Sequence, residues 1–240
     1  MPRSDELAAI ETYQPATKDI LLIVHDQLEH VKLVIDTITK HTENYDLLVW
    51  DNASQPDTAK YLRDHKQITC CHRSEENIGF IKPNNRLAES SDAEFLILIN
   101  SDCQVFAGWD AALIGWLQSH PNCDLVGYQG GKLNADFEGV STAYGSDIDY
   151  VCGWCCCYRR SAYERFGLFD EVNLEFAECE DADLSLRLRA AGRGIHALCL
   201  DNVIHFGAKT FQQVQNERDL HRTYRKNHVW LRQHWGQPAG

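Results

Sequence analysis

The strongest constraint on the fold is a repeated alternation of short apolar runs with amphipathic stretches. The runs 20–24, 47–50 and 95–99 are continuously apolar and short, which predicts strands buried on both faces of a sheet. The stretches that begin at Leu28 and Trp109 carry apolar residues at helical spacing. Strands that alternate with helices through short connections predict an α/β fold, with one mostly parallel, Rossmann-like sheet flanked by helices.

The same patterns predict the remaining organisation of the chain. We expect an N-terminal extension over 1–18, one domain over 19–210 with halves 19–128 and 129–210, and a C-terminal helical tail over 211–240. Further elements are predicted as follows: helices over 58–65, 161–166 and 181–191, a helix capped by Asn84, strands near 68–71, 125–128, 150–158 and 195–200, and a glycine-rich loop through Gly145.

Composition narrows the class of function. The 240 residues carry a formal net charge of -12, which makes the chain a poor candidate for non-specific nucleic-acid binding, since that requires a clustered basic surface. No apolar run reaches the length of about 18–20 residues that a membrane-spanning helix needs. Because the first residues are polar, without an apolar signal segment, we expect a cytoplasmic protein. Ten cysteines in such a protein are expected to be free thiols, with a zinc site around Cys152 and Cys155 as the alternative.

Three predicted strands end in carboxylates or carboxamides. The first ends at Asp26, the second at Asp51 and Asn52, and the third at Asn100 and Asp102. The carboxyl ends of parallel strands meet at one edge of a sheet, where ligands bind in open α/β folds. Polar residues also end strands for purely structural reasons, so this convergence leaves the structural reading open.

Two phosphate-binding motifs are missing from the places where they would be expected. The first strand runs into Val24, His25, Asp26 and Gln27, whose side chains block the close backbone approach that a glycine-rich dinucleotide loop provides. No Walker-type Gly-Lys-Ser/Thr sequence occurs either. A phosphate ligand in this chain would therefore rely on a metal ion for much of its charge neutralisation.

Several segments, taken in order, resemble one known family. The relevant segments are 49–54 (VWDNAS), 77–85 (NIGFIKPNN), 98–102 (LINSD), 151–153 (VCG), 160–161 (RS), 166–171 (FGLFDE) and 180–187 (EDADLSLR), followed by His205. This order and spacing resembles the family 2 glycosyltransferases, which have the GT-A fold of nucleotide-diphospho-sugar transferases. The resemblance covers roughly residues 19–210.

The resemblance implies donor-binding roles for residues of the first half. His25 and Asp51 occupy the positions that read the nucleobase, and Asn77 and Asn85 those that border the ribose and diphosphate. Lys82 stands where the family commonly has small residues and is expected to contact phosphate.

The metal-binding element carries one departure from the family pattern. Asn100 and Asp102 match the Asp-x-Asp element, whose first acid is here the neutral Asn100. Asp102 would bind Mn²⁺ or Mg²⁺ together with the donor diphosphate, and His205 would supply a further metal ligand.

Further implied roles concern the acceptor. Asp181 is expected to be the general base that deprotonates the attacking hydroxyl, in a single displacement that inverts the anomeric centre. Trp154, Glu180 and Asp183 are expected on the acceptor side. For the three acids, the alternative is that they only favour the N-terminus of a helix through its dipole.

The chain is thus predicted to be an inverting, hexosyltransferase-like enzyme. Its expected partners are a UDP-, dTDP- or GDP-sugar donor and a carbohydrate or glycolipid acceptor. A catalytically degenerate nucleotide-sugar-binding module and a sugar-nucleotide pyrophosphorylase are the alternatives. For the basic and apolar tail, packing against the domain and peripheral contact with a membrane surface both remain open.

Overall fold

A computed structural model describes residues 3–207 and 220–236 of the chain. The strands are β1 Lys18–Val24, β2 Asp46–Asn52, β3 Cys70–Ser74, β4 Phe95–Asn100, β5 Cys103–Val105, β6 Cys123–Gly127, β7 Gly130–Leu133, β8 Gly139–Ala143, β9 Tyr150–Val151, β10 Cys155–Arg159, β11 Gly194–Ala197 and β12 Val203–His205. The helices are α1 Ser4–Thr12, α2 Leu28–His41, α3 Pro56–Asp64, α4 Ile81–Glu89, α5 Trp109–Ser119, α6 Arg160–Phe166, α7 Glu180–Ala190 and α8 Leu220–Trp235.

The central sheet has seven strands in the order β11-β6-β10-β4-β1-β2-β3. Strand β10 runs antiparallel to both of its neighbours, and the other pairs are parallel. In register, Ile23 lies between Trp50 of β2 and Asn100 of β4, so the carboxyl ends of these three strands reach one edge together. The predicted α/β architecture with a mostly parallel sheet is confirmed, and its polar strand ends share an edge.

The two faces of the sheet are covered by different helices. Because successive side chains of a strand point to opposite faces, Ile20 and Leu22 of β1 belong to one hydrophobic core and Leu21 to the other. The first core contains residues of α1, α2, α3 and α5. The second contains residues of α4, α6, α7 and α8. Helices α4, α7 and α8 thereby lie on the same face of the sheet.

Two small antiparallel sheets flank the central one. Strands β5 and β12 form a pair, and β8, β7 and β9 form a three-stranded sheet. The sequence predicted a loop where this second sheet lies, because only β8 is long enough to show a pattern and its residues are mostly exposed. The predicted strand over 150–158 is correspondingly split into β9 and β10.

One local expectation, the cap of α4, needs correction. Asn84 does not cap its helix: α4 begins at Ile81, and the Asn84 side chain donates to the Phe80 carbonyl from inside the first turns. The predicted extension contains helix α1, which packs on α5 and buries Glu6 completely. The tail helix is present as α8, while residues 211–219 and 237–240 of the predicted tail lie outside the described ranges.

Helix α8 packs on the domain through its buried side. Leu220, Asn227 and Leu231 are buried, and the indole of Trp235 donates to Asp183 at 3.1 Å. In the described parts of the chain, the helices are too short or too polar to qualify as membrane spans.

Candidate active site

A cleft of about 540 Å³ opens at the carboxyl edge of the central sheet. One wall consists of the ends of β1, β2 and β4 with the loop before α4. A second wall consists of the segment 176–182, which leads into α7. The β7–β9 sheet and α8 contribute the remaining lining. Of the residues predicted for the site, His25, Asn77, Asn100, Asp102, Trp154, Glu180, Asp181 and His205 line this cleft.

Asp102 and His205 are brought together by the pairing of β5 with β12. The register places His205 opposite Cys103, and the Phe206 amide donates to the Asp102 carbonyl. Asp102 Oδ1 and His205 Nε2 are 3.1 Å apart. The Trp154 ring stacks on the imidazole, with centroids 4.8 Å apart and planes 8° apart. Backbone pairing and stacking thus hold two side chains from distant parts of the sequence against each other.

This pair fits a divalent cation. In octahedral coordination, two adjacent ligand atoms that each lie about 2.1 Å from the ion are about 3.0 Å apart. The observed distance of 3.1 Å between Asp102 Oδ1 and His205 Nε2 is close to this value. Cys103 Sγ lies within 4.8 Å of both ligand atoms. Burial and the neighbouring Asp102 raise the pKa of the Cys103 thiol, so it remains neutral and is a poor ligand for a hard cation. The carboxylate and imidazole therefore suit Mn²⁺ or Mg²⁺, and no comparable group forms around Cys152 and Cys155 within the described residues.

A hydrogen-bonded network shapes the wall at the end of β2. Asn52 Nδ2 donates to Asn77 Oδ1 at 2.7 Å and to the Gly79 carbonyl at 2.8 Å. Its Oδ1 accepts from the Ile78 amide at 2.9 Å. His25 Nδ1 lies 2.7 Å from the Asn52 carbonyl, which can only accept, so this nitrogen carries the hydrogen. Asn52 thus orients both His25 and the loop that carries Asn77.

The two walls of the cleft meet at Gly79. Its φ is +91°, and an added Cβ would lie 2.3 Å from the Phe176 carbonyl oxygen. That oxygen accepts from the Phe80 amide at 2.6 Å and the Ile81 amide at 3.1 Å, at the start of α4. Phe176 itself has a φ of +62°, which is unusual for a bulky side chain. Glycine is therefore required for the wall segment to approach the loop before α4.

Asp181 lies in the first turn of α7 and faces the cleft. Its Oδ2 accepts from the Gly153 amide at 3.2 Å, and its Oδ1 accepts from the Ala182 amide at 2.8 Å. Burial raises the pKa of Asp181 despite these two amides, which favour the charged form. A carboxylate oriented by backbone amides and weakly solvated is well suited to accept a proton.

Two further acids stand beside Asp181. Glu180 is 7% exposed, and its Oε2 has no hydrogen-bond partner among the described residues. Burial, reinforced by the charges of Asp181 and Glu178, raises the pKa of Glu180 well above its usual value. Burial and Asp181 likewise raise the pKa of Glu178. Glu178 was missed in the sequence because nothing in its local pattern distinguishes it from a loop acid.

The structure places four of the predicted residues away from the cleft lining. Asp51 is buried at the end of β2, where it accepts from the Ser54 amide and pairs with Arg73. Lys82 is exposed on α4. Asn85 forms two hydrogen bonds with the Phe169 backbone and one with Glu171. Asp183 pairs with Arg187 and accepts from Trp235. In this structure Asn85 and Asp183 thus join distant segments of the fold.

Sequence reasoning also missed contributors from outside the recognised motifs. Tyr150 from β9 and Tyr224 from α8 line the cleft, as does Phe137 from the turn between β7 and β8. Isolated aromatic residues give no signal in a single sequence that separates cleft lining from core. Among the described lining residues, none is lysine or arginine. An anionic donor here would depend on a bound cation and on neutral hydrogen-bond donors.

Two solved structures share this architecture. One is described as "Crystal structure of GalNAc-T7 with UDP, GalNAc and Mn2+"; it is 14% identical with a TM-score of 0.67, over 79% of this chain and 44% of that one. The other is described as "Mannosyltransferase PcManGT from Pyrobaculum calidifontis in complex with GDP-Man and Mn2+"; it is 16% identical with a TM-score of 0.61, over 78% of this chain and 55% of that one. The chain thus spans about half the length of these two proteins, and at this identity the likeness concerns the fold.

The search of curated proteins found no match. A sequence model described as "Glycosyl transferase family 2" matches residues 19–167, which include β1 to β4 and the Asn52, Asn77 and Asp102 positions. Asp181 and His205 lie beyond that match. Since it nevertheless covers well over half of the chain, and the fold is that of known GT-A glycosyltransferases, the chain belongs to glycosyl transferase family 2.

Proposed function

We propose that this chain is an inverting glycosyltransferase that moves a hexosyl group from a nucleotide-diphosphate donor to an acceptor hydroxyl. The observation that carries the proposal is the presence of the Asp102–His205 pair and of Asp181 in one cleft. The two similar structures are Mn²⁺ complexes with UDP or with GDP-Man, which supports a divalent cation and a donor of this class.

The donor is expected to bind along the wall formed by the ends of β1, β2 and β4. Asn77 and Asn100 offer neutral amide groups there, and His25 is held by the Asn52 carbonyl. Asp102 and His205 would hold Mn²⁺ or Mg²⁺, which when bound offsets the negative charge that develops on the leaving diphosphate. Asp51, Lys82 and Asn85 act on donor binding indirectly in this proposal, since they are not among the residues that line the cleft.

The transfer itself is a single displacement. The acceptor hydroxyl oxygen bonds to the anomeric carbon while the bond from that carbon to the diphosphate oxygen breaks and its electron pair leaves with the nucleoside diphosphate. Asp181 takes the hydroxyl proton, and inversion follows because attack comes from the face opposite the leaving group. The oriented, weakly solvated carboxylate of Asp181 supports this role.

Release of nucleoside diphosphate from UDP-glucose, UDP-GalNAc and GDP-mannose, measured with and without Mn²⁺, tests the proposal. We expect slow, Mn²⁺-dependent release from one of these donors, and loss of that release in Asp102→Asn. Tight binding of a donor by calorimetry without any release, even with acceptors present, would instead indicate a nucleotide-sugar-binding module. Phosphorolysis of the donor by inorganic pyrophosphate would indicate a pyrophosphorylase.

A further inference from the structure

The cleft is chemically asymmetric. Its amide side chains, Asn52, Asn77 and Asn100, all belong to the wall of strand ends and the loop before α4. The segment 176–182 contributes three carboxyl groups to the same cleft, those of Glu178, Glu180 and Asp181. These are the groups that remain for the acceptor once the donor occupies the strand ends.

One of these carboxyl groups has a buried oxygen atom without a hydrogen-bond partner in the described chain. Glu180 is more than nine-tenths buried and lines the cleft, yet its Oε2 has no hydrogen-bond partner in the described chain. A buried polar atom without a partner is costly and uncommon in folded proteins. In Asp181, both carboxylate oxygens accept from backbone amides, whereas backbone amides of Glu178 and Glu180 contact the Glu180 carboxyl and leave its Oε2 without a partner. A ligand that donates a hydrogen bond to Glu180 would remove this cost.

The kind of hydrogen-bond donor that suits Glu180 can be inferred from the side chains that segment 176–182 lacks. A neutral sugar presents hydroxyl groups that both donate and accept, and a matching site offers both kinds of group. In the described lining, the segment 176–182 offers carboxylate oxygens and contains no lysine, arginine, asparagine or glutamine. An ammonium group has three donors and no acceptor, which matches a wall of this kind. Its positive charge would also offset the repulsion among three neighbouring acids.

Aromatic side chains lie near the segment 176–182, which is called the acidic wall from here on. Burial raises the pKa of Tyr150 to about 12, and its neighbours Cys152, Asp181 and Tyr224 add to the effect. Burial chiefly raises the pKa of Tyr224, and Glu178 is among the nearby charges that contribute. Both rings are therefore close to the acids, and Phe137 lines the same cleft. Ring faces attract cations, so they favour an ammonium group and also accept an apolar body beside it.

We propose that the acceptor of this chain carries a protonated amine, bound by Glu178 and Glu180, next to the hydroxyl that receives the sugar. This inference rests on the proposed transferase function and assigns its acceptor class: an amino sugar or amino alcohol attached to an apolar group. Asp181 accepts the hydroxyl proton as before, and the amine stays protonated and is not the nucleophile.

Equilibrium binding tests the inference without requiring turnover. Calorimetry in the presence of UDP and Mn²⁺ compares octyl β-D-glucosaminide with octyl β-D-glucoside, which differ only in an amine and a hydroxyl. We expect the aminosugar to bind about tenfold more tightly, the effect of one charged hydrogen bond. Glu180→Gln and Glu178→Gln should each reduce this preference, and melting temperatures confirm that the variants are folded.

A matched variant separates local recognition from general attraction to an acidic protein. Glu175→Gln removes the same charge directly before this segment, but Glu175 is exposed and does not line the cleft, so the preference should persist. Equal binding of the two glycosides by the wild type, or equal loss in all three variants, would overturn the inference. Donor cleavage without any preference for the aminosugar would overturn it while leaving the transferase function intact.

Discussion

Asn227 of α8 offers the sharpest test of how the fold shapes the acidic wall. Its side chain is fully buried and joins α8 to the segment before α7. Oδ1 accepts from the Glu175 amide at 2.9 Å. Nδ2 donates to the carbonyls of Glu175, Ala177 and Glu178 at 2.8, 2.9 and 3.0 Å. This segment contains left-handed residues, with φ of +62° at Phe176 and +77° at Glu178, which such contacts must hold in place.

Asn227→Ala is therefore expected to affect both stability and activity. Two amide hydrogens are shared among three carbonyls, so about three full hydrogen bonds are lost, at roughly 0.5–1.5 kcal/mol each. With the cavity left behind, we expect a loss of about 2–4 kcal/mol in the free energy of unfolding, equivalent to roughly 4–16 °C in Tm for a chain of this size. Because Asp181 follows the released segment, kcat for transfer should fall at least about tenfold.

Chemical denaturation and initial-rate kinetics measure these two effects. Lys226→Ala is the matched control, since it removes the adjacent, largely exposed ion pair with Glu175 and should cost about 0–1 kcal/mol. If Asn227→Ala were no more destabilised than this control, or kept the wild-type kcat, the side chain would not be holding the wall and the reasoning would be refuted.

Three further predictions concern the cleft. Asp181→Asn should lower kcat by about 10²–10⁴-fold while calorimetry still shows binding of donor and Mn²⁺, whereas a wild-type kcat would rule out Asp181 as the base. Burial raises the pKa of Asp181, and a general base acts only when it is ionised, so kcat/KM should fall as the pH drops through that raised pKa. The midpoint of this fall in the pH profile should lie above about 3.9, the pKa of an ordinary aspartate. A midpoint at or below that value would contradict the assignment of Asp181 as the base. Gly79→Ala should destabilise the fold by at least about 1 kcal/mol, since its Cβ would meet the Phe176 carbonyl at 2.3 Å; unchanged denaturation curves would show that the two walls are not in contact.

The central sheet could be predicted from sequence because its signals are local. Runs such as 95–99 are apolar, short and bounded by polar residues, and each forms a strand close to the expected limits. The convergence of Asn100 and Asp102 with the other strand ends then follows from parallel order alone. Free thiols were also predicted, and all ten cysteines are free, six of them buried.

The rest of the cleft depends on contacts between residues far apart in the sequence. Asn227 meets residues about 50 positions earlier, and Asn85 meets the Phe169 loop 84 positions later. Neither pairing leaves a periodic pattern that a single sequence reveals. Asn85 illustrates the consequence: the family resemblance predicts that it borders the ribose and diphosphate, while in the structure its side chain forms hydrogen bonds with Phe169 and Glu171, outside the cleft lining.

In the proposed reaction, the charges of the cleft would assign its two walls to different substrates. A diphosphate placed on the acidic segment 176–182 would meet three carboxyl groups, whereas near Asp102 and His205 it can share a cation with them. An acceptor with a positive charge would be attracted by the same three carboxyl groups that repel the diphosphate of the donor. Mispositioning of either substrate would therefore be unfavourable on electrostatic grounds, and under the proposal the same asymmetry that orients the donor would leave Asp181 beside the acceptor.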